Sequence, residues 1–287
     1  MNRLGLSTLG LPGASLDQAL RLAAEAGFEG LELRCAQDQP VWTDLDELDR
    51  LGISRAFRGA GLKPIALAGY LHIAAPGPDG PVLAALRRHI WLAADIGAPF
   101  LRVFPGGSNQ VRREADAAAA RRLQAVAGLT RACGVRILVE THDSHRAAAD
   151  TARLLRGVGD TATGAIWDVL HTHLAGDQPS DAYDQLAYRL GYIQVKGATA
   201  PHRDATPVQL GTGALHPEAA IHTALDAGYA GWFVWEYEAP WHPEAAPLPP
   251  LLAPGRTWLT RQLRRHRDQT TPRAEAPLPE ETGRICS

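Results

Sequence analysis

Cysteine is scarce in this chain. Its three cysteines, Cys35, Cys133 and Cys286, are odd in number and form no CxxC pair. That excludes a disulfide framework or a thiolate metal knuckle, and predicts reduced thiols in a cytoplasmic protein. Long apolar runs are missing as well; nothing approaches the ~18 residues a membrane span needs. The opening residues, Met-Asn-Arg-Leu-Gly-Leu-Ser-Thr-Leu-Gly, hold an apolar stretch too short and too glycine-broken for a secretion signal. Neither charge is in excess: 29 Lys and Arg stand against 31 Asp and Glu, a net −2. No bulk attraction to nucleic acid or to an anionic membrane is therefore expected. A dinucleotide fingerprint is absent too, because Ser7-Thr8-Leu9-Gly10-Leu11-Pro12-Gly13 lacks the G-x-G-x-x-G spacing.

What is present is the composition of a soluble globular protein, 45% hydrophobic and 21% charged over 287 residues. That length suits one large α/β domain or two smaller ones. Glycine supplies a repeat. Helical stretches close at Ala26-Gly27, Ala60-Gly61, Ile96-Gly97, Cys133-Gly134, Leu190-Gly191 and Ala227-Gly228, where glycine suits a left-handed helix C-cap. Several intervals are 34 to 37 residues, one strand plus one helix. Eight strand-like runs fall at 4–9, 30–34, 64–69, 100–104, 136–140, 164–168, 192–196 and 232–236. Near-continuous apolar runs of this kind suit parallel strands covered on both faces. Helical patterns lie between them, the first opening on the capping-box spacing of Ser15 and Gln18. Eight βα units predict an α/β fold, a (β/α)8 TIM barrel forming a single domain over residues 1–268, with a doubly wound sheet as the alternative. The polar, proline-rich residues 269–287 are expected to be a disordered tail.

Four of the strand-like runs end alike. Glu140 closes Arg-Ile-Leu-Val-Glu, Asp168 closes Gly-Ala-Ile-Trp-Asp, Gln194 sits in Gly-Tyr-Ile-Gln-Val-Lys, and Glu236 closes Trp-Phe-Val-Trp-Glu. An oxygen donor at the end of an apolar strand is costly unless something binds it. Neighbouring parallel strands would bring the four oxygens to one point at the C-terminal edge. Three carboxylates that close repel one another, so a divalent cation is the natural occupant. The plainer alternative at any single position is a cap on the next helix.

These residues carry a resemblance. Val-Glu-Thr-His-Asp at 139–143, Asp-Val-Leu-His at 168–171, Gln-Val-Lys at 194–196 and Val-Trp-Glu-Tyr-Glu at 234–238 resemble the xylose-isomerase-like TIM barrels. That family holds sugar isomerases and epimerases, inosose and 3-dehydroshikimate dehydratases, and endonuclease IV. It places a Glu, an Asp-x-x-His, a His-x-Lys and a Glu at the ends of strands five to eight. The resemblance implies that Glu140, Asp168, Gln194 and Glu236 hold a metal, and that Glu140 and Glu236 also move protons on opposite faces of a substrate. This chain departs from the pattern at Gln194, where many relatives have His, and at Gly197, where Asp is frequent. The glutamine makes the donor set all-oxygen, which favours Mn²⁺, with Mg²⁺ or Co²⁺ next, over Zn²⁺. Some dehydratases of the family resemble this glutamine variant.

Around the metal set, the resemblance and the spacing nominate His171, Lys196, Arg203, His72 and His142 as substrate contacts. Glu238, two residues past Glu236, and His142, two past Glu140, fall on the site's side of an extended strand. Each is equally readable as a solvated loop residue. Arg102, inside the fourth strand, is expected to pair within the barrel with a carboxylate such as Glu32.

The activity implied is a metal-dependent isomerase or epimerase of a small ketose or polyol-type carbonyl substrate, working through an enediolate. The alternative is a metal-dependent dehydratase of a cyclic keto acid or keto polyol such as 3-dehydroshikimate or inosose. The partner expected is a small molecule, not nucleic acid or membrane, and relatives imply a homo-oligomer. An endonuclease would need further His and Asp ligands that this chain lacks, together with a basic surface.

Overall fold

The computed structural model describes residues 2–159, 161–202 and 204–270. Eight strands run in parallel: β1 Arg3–Ser7, β2 Gly30–Arg34, β3 Lys63–His72, β4 Phe100–Phe104, β5 Arg136–Glu140, β6 Thr163–Asp168, β7 Leu190–Val195 and β8 Trp232–Trp235. They pair in sequence order and close through β1 against β8, where Arg3 aligns with Trp232 and Leu6 with Trp235. The TIM barrel expected from the repeat is therefore present, and the doubly wound alternative is not.

Around it lie α1 Leu16–Glu25, α2 Glu47–Ala60, α3 Asp79–Ile96, α4 Arg112–Cys133, α5 Ala148–Val158, α6 Val169–Leu174, α7 Pro179–Leu186, α8 Glu218–Asp226 and α9 Leu252–Thr270. The Ser15–Gln18 capping box at the start of α1 forms in full. None of the described helices is long and apolar enough to cross a membrane.

Local differences separate pattern from structure, among them Leu190-Gly191, read as a helix end, which opens β7, and β3, which runs on to His72. The first strand stops at Ser7 because its hydroxyl accepts from Leu9 N and turns residues 8–10 into a 3-10 helix. A short helix, α6, follows β6 at once, in a stretch where the sequence marked no helix. Its six residues are too few for a visible helical period. At the C-terminus, α9 carries on through Gln269 and Thr270, which the sequence assigned to the tail. The rest of that tail, 271–287, lies outside the described residues.

The core has two shells. Outside the sheet, Leu4, Leu31, Leu33, Ile90, Leu123, Trp167, Phe233 and Trp235 pack between strands and helices. Inside it, Ile65, Ala66, Leu138, Ile166, Tyr192, Trp232 and Val234 form an apolar plug with Phe100 against it. Each large aliphatic group so buried contributes roughly 1.5–3 kcal/mol. The alternation of strand side chains then puts polar groups in the next layer towards the C-terminal mouth: Glu32, Arg102, Glu140, Gln194, Asp168 and Glu236, all buried. Burying an unpaired carboxylate costs more than one aliphatic side chain returns. The plug can support this layer only if its charges are matched with care.

Candidate active site

The matching begins with Arg102. On β4 it shares a face with Phe100 and Phe104 and points into the barrel. Its Nη1 donates to Glu140 Oε2 at 3.2 Å and to Glu236 Oε1 at 3.3 Å, and its Nη2 to the Gly69 carbonyl at 3.4 Å. Phe104 lies 4.4 Å and Tyr70 5.4 Å from the guanidinium carbon, so the planar group is flanked by aromatic rings. Arg102 thus pairs within the barrel with carboxylates, as expected, but with Glu140 and Glu236 rather than with Glu32. Tyr192 Oη donates to Glu32 Oε2 instead, and Gln194 Nε2 donates to the same oxygen at 3.1 Å. β4 aims Arg102 at the mouth, while β2 turns Glu32 towards β7.

Lys196 is the second buried cation. Its Nζ lies 2.8 Å from Asp168 Oδ2 and 2.7 Å from Glu236 Oε2, and bonds Glu238 as well. Glu238 is therefore a partner in the charge network rather than a solvated loop residue. Lys196, expected at the substrate, is committed to three carboxylates and marks the point on which their oxygens converge.

Gln194 shows which way its amide faces. The Nε2 group donates to Glu32 and, at 3.2 Å, to Glu236 Oε1, so Oε1 is turned the other way. That oxygen is buried and accepts no hydrogen bond. A ligand atom from each of Glu140, Asp168 and Glu236 lies within 4.8 Å of the others. Five carboxylates, Glu32, Glu140, Asp168, Glu236 and Glu238, face two fixed cations. This donor set, hard, oxygen-rich and short of positive charge, fits a divalent cation.

Titration behaviour follows from the same network. Burial pushes Glu236 up to about 7 against the opposing pull of Lys196. Burial also raises Glu140 well above the carboxylate range, although Arg102 opposes it. Asp168 is just as buried, yet Lys196 and His171 outweigh that and hold it below its ordinary value. The three carboxylates thus have separated proton affinities, a condition for acid and base work at one site.

Asp168 plays two roles. Its Oδ1 accepts from His171 N at 3.0 Å and caps α6, while Oδ2 faces Lys196. The cap fixes the first turn of α6 and so places the His171 ring over the carboxylates, with Nε2 4.0 Å from Glu140 Oε1. Burial lowers His171 to about 4, so the ring is neutral around pH 7, and Nε2 has no hydrogen-bond partner. His142 packs beside it, ring centroids 4.3 Å apart, and stacks on Phe104 at 4.3 Å. His72, exposed at the end of β3, lies 5.8 Å from the Phe104 ring. Glu140, His142 and His171 also bring one ligand atom each within 4.8 Å of the others. The structure thus brings His171 and His142 to the carboxylates and leaves His72 at the rim. Arg203 lies outside the described residues.

The loops that carry this wall are fastened from outside. Ser144 Oγ accepts from Gly107 N at 2.9 Å and pairs with His145 Nδ1 at 2.8 Å. His145 Nε2 reaches Asp116 Oδ1 on α4 at 2.7 Å. Gly106 sits against His72 at φ +63°, where a Cβ would come within 2.4 Å of the His72 Cβ. Gly197 has a comparable reason to lack a side chain: a Cβ there would lie 2.6 Å from the Val208 carbonyl, because the loop after β7 folds back over it. The missing side chain at Gly197 is therefore a packing requirement.

A closed parallel barrel with a carboxylate cluster at the C-terminal mouth defines a TIM-barrel protein with its polar site where such barrels carry theirs. The chain matches the xylose isomerase-like TIM barrel family over residues 20–262, and it belongs to that family. A search of curated proteins returned no match. Among solved structures, an L-ribulose 3-epimerase is similar with a TM-score of 0.78 at 20% identity, covering 94% of this chain and 97% of that one. A probable 3-DHS dehydratase, AsbF, from Bacillus anthracis has a TM-score of 0.74 at 18% identity, covering 90% and 98%. The IolI protein with a bound zinc atom has a TM-score of 0.74 at 14% identity, covering 94% and 100%. At such identities the likeness establishes the fold.

Proposed function

We propose that this protein is a divalent-metal-dependent isomerase or epimerase of a small ketose or related polyol-type carbonyl compound. The observation that carries the proposal is the convergence of Glu140, Asp168 and Glu236 beside the unpaired Oε1 of Gln194. These four residues would hold the ion, and Mn²⁺ suits their all-oxygen set. When bound, it would polarise the substrate's carbonyl and acidify the adjacent C–H. Glu140 and Glu236, on either side of Arg102, would then take the proton from one face of that carbon and return one from the other. Neutral His171 would hydrogen-bond a substrate oxygen, and His142 and Phe104 would close the wall beside it. Lys196 would keep Asp168 ionised. The epimerase among the similar structures supports this reading.

Gln194 supports a second reading, dehydration of a cyclic keto acid or keto polyol, and a probable dehydratase also shares the fold. Both reactions begin with the same proton abstraction and part afterwards. Reprotonation gives an isomer; loss of a β-hydroxyl gives an alkene. A mass-spectrometric screen of ketoses, inososes and dehydroshikimate with Mn²⁺ in D₂O separates them. Deuterium on a product of unchanged formula supports the isomerase. A product lighter by one water with conjugated absorbance supports the dehydratase. Turnover unaffected by exhaustive chelation would overturn both.

A further inference from the structure

We infer that Arg102 is a positioning residue that holds Glu140 and Glu236 as one-oxygen donors, so that a bound cation keeps coordination positions open for substrate. The inference rests on the proposed metal site and concerns what the chain does to that site from beneath. Each of the two glutamates is split between its oxygens. Glu140 gives Oε2 to Arg102 and leaves Oε1 towards His171. Glu236 gives Oε1 to both Arg102 and Gln194 Nε2, and leaves Oε2 towards Lys196 and Asp168. The inner oxygen of each is thus occupied by a donor that cannot be titrated away, since guanidinium stays charged at any working pH. Each glutamate then offers a cation one outer oxygen, that of Glu236 being shared with Lys196 Nζ at 2.7 Å.

The count of donors shows why this matters. Ions of the Mg²⁺ and Mn²⁺ kind take about six positions. Were Glu140 and Glu236 both bidentate, they would fill four, and Asp168 and Gln194 would fill the other two. A saturated ion has no place for a substrate oxygen. With one oxygen from each residue, about two positions remain. A lysine could supply the charge but not the geometry. Arg102 reaches two carboxylates through Nη1 and the Gly69 carbonyl through Nη2, and the rings of Phe104 and Tyr70 flank its plane. That fork is fixed at both ends, so the inner oxygens cannot swing outward together.

The test uses the full chain with Mn²⁺ alone as the probe. Water-proton relaxation counts the exchangeable waters on the bound ion, and titration calorimetry gives its affinity. Wild type is expected to hold about two waters. Arg102→Lys keeps the positive charge, but its ammonium ends a bond short of the Nη1 position and has no second arm for the Gly69 carbonyl, so it frees an inner oxygen; it should lose at least one of those waters and turn over roughly 10²-fold more slowly. Ethylguanidinium added to Arg102→Ala should restore the water count, which a general loss of packing would not allow. Should either variant fail to fold, the wild-type crystal soaked with Mn²⁺ decides. Glu140 and Glu236 must each give one oxygen, with the other still on Arg102. Equal water counts in wild type and Arg102→Lys, or a bidentate glutamate in the crystal, overturn the inference. Failure of wild type to bind Mn²⁺ at all sinks the metal reading itself, a separate result.

Discussion

Glu140 and Glu236 are alike in chemistry and unlike in surroundings. Each is buried and each touches Arg102, yet Glu236 alone has Lys196 and Gln194 against it. Glu140→Gln and Glu236→Gln each keep a single oxygen, which can serve Arg102 or a cation but not both, so the fold should survive and the metal should bind more weakly. If each is a proton carrier as proposed, its loss should lower kcat by roughly 10²–10⁴-fold. Steady-state kinetics on variants shown to bind metal checks this; two near-wild-type rates would move the search for a base to His171. Gln194→His should swing the affinity ranking from Mn²⁺ towards Zn²⁺, because it replaces an amide oxygen with imidazole nitrogen. It also removes one of the two hydrogen bonds to Glu32 and Glu236, at a cost of about 1–3 kcal/mol in thermal stability. An unchanged metal ranking would mean that Gln194 Oε1 is not a ligand. The four strand-end donors were legible in sequence because oxygen donors interrupt apolar runs there. The partner of Arg102 was not. Strand alternation says that an arginine faces inward, and says nothing of which inward carboxylate lies at its height in a tilted barrel.

Among the elements, α6 and its cap do most to set the site. Its six residues were invisible as a helix, although their cap, Asp168, was plain as a strand-end carboxylate. Eight strands, by contrast, were readable from apolar runs and helix-terminal glycines, half of their ends matching and the largest error falling at the end of β3, which runs on to His72. Asp168 caps α6, the plainer of the two readings weighed for it, and a pair of substitutions separates that role from the proposed one of ligand. Asn caps a helix about as well as Asp, and Ala does not. Asp168→Asn should therefore keep α6 in place, whereas Asp168→Ala should lose a further 0.5–2 kcal/mol or so. Both should bind Mn²⁺ far more weakly than wild type. Denaturant unfolding of the metal-free variants measures the first difference and calorimetry the second. Equal stabilities would show that the hydrogen bond to His171 N is not what holds the helix. Equal metal affinities to wild type would remove Asp168 from the donor set.

At the scale of the whole molecule, a barrel that buries so many carboxylates above its plug should depend on both pH and cation. Glu236 is raised by burial to about 7, so ionising it costs folded-state stability as pH climbs from the usual carboxylate range through 7. Glu140 is shifted in the same direction. His171, lowered to about 4, works the other way: its stabilisation is complete above an ordinary histidine pKa and fades as pH falls towards 4. Below about pH 6.5 the two trends oppose each other. Above it only the carboxylates still act, so the metal-free protein should lose stability between about pH 6.5 and 8. A cation on those carboxylates removes the cost, because the ionised form is the one it binds. Its affinity should accordingly rise with pH through about 7, with protons released on binding below that value. At about a hundred times its dissociation constant the ion should add roughly 2.7 kcal/mol. Thermal melts of chelated and Mn²⁺-loaded protein from pH 6 to pH 8.5 test the linkage. The gap between the two melting temperatures should widen with pH up to about 8. A gap that stays constant across that window would mean that the cation binds away from Glu140 and Glu236.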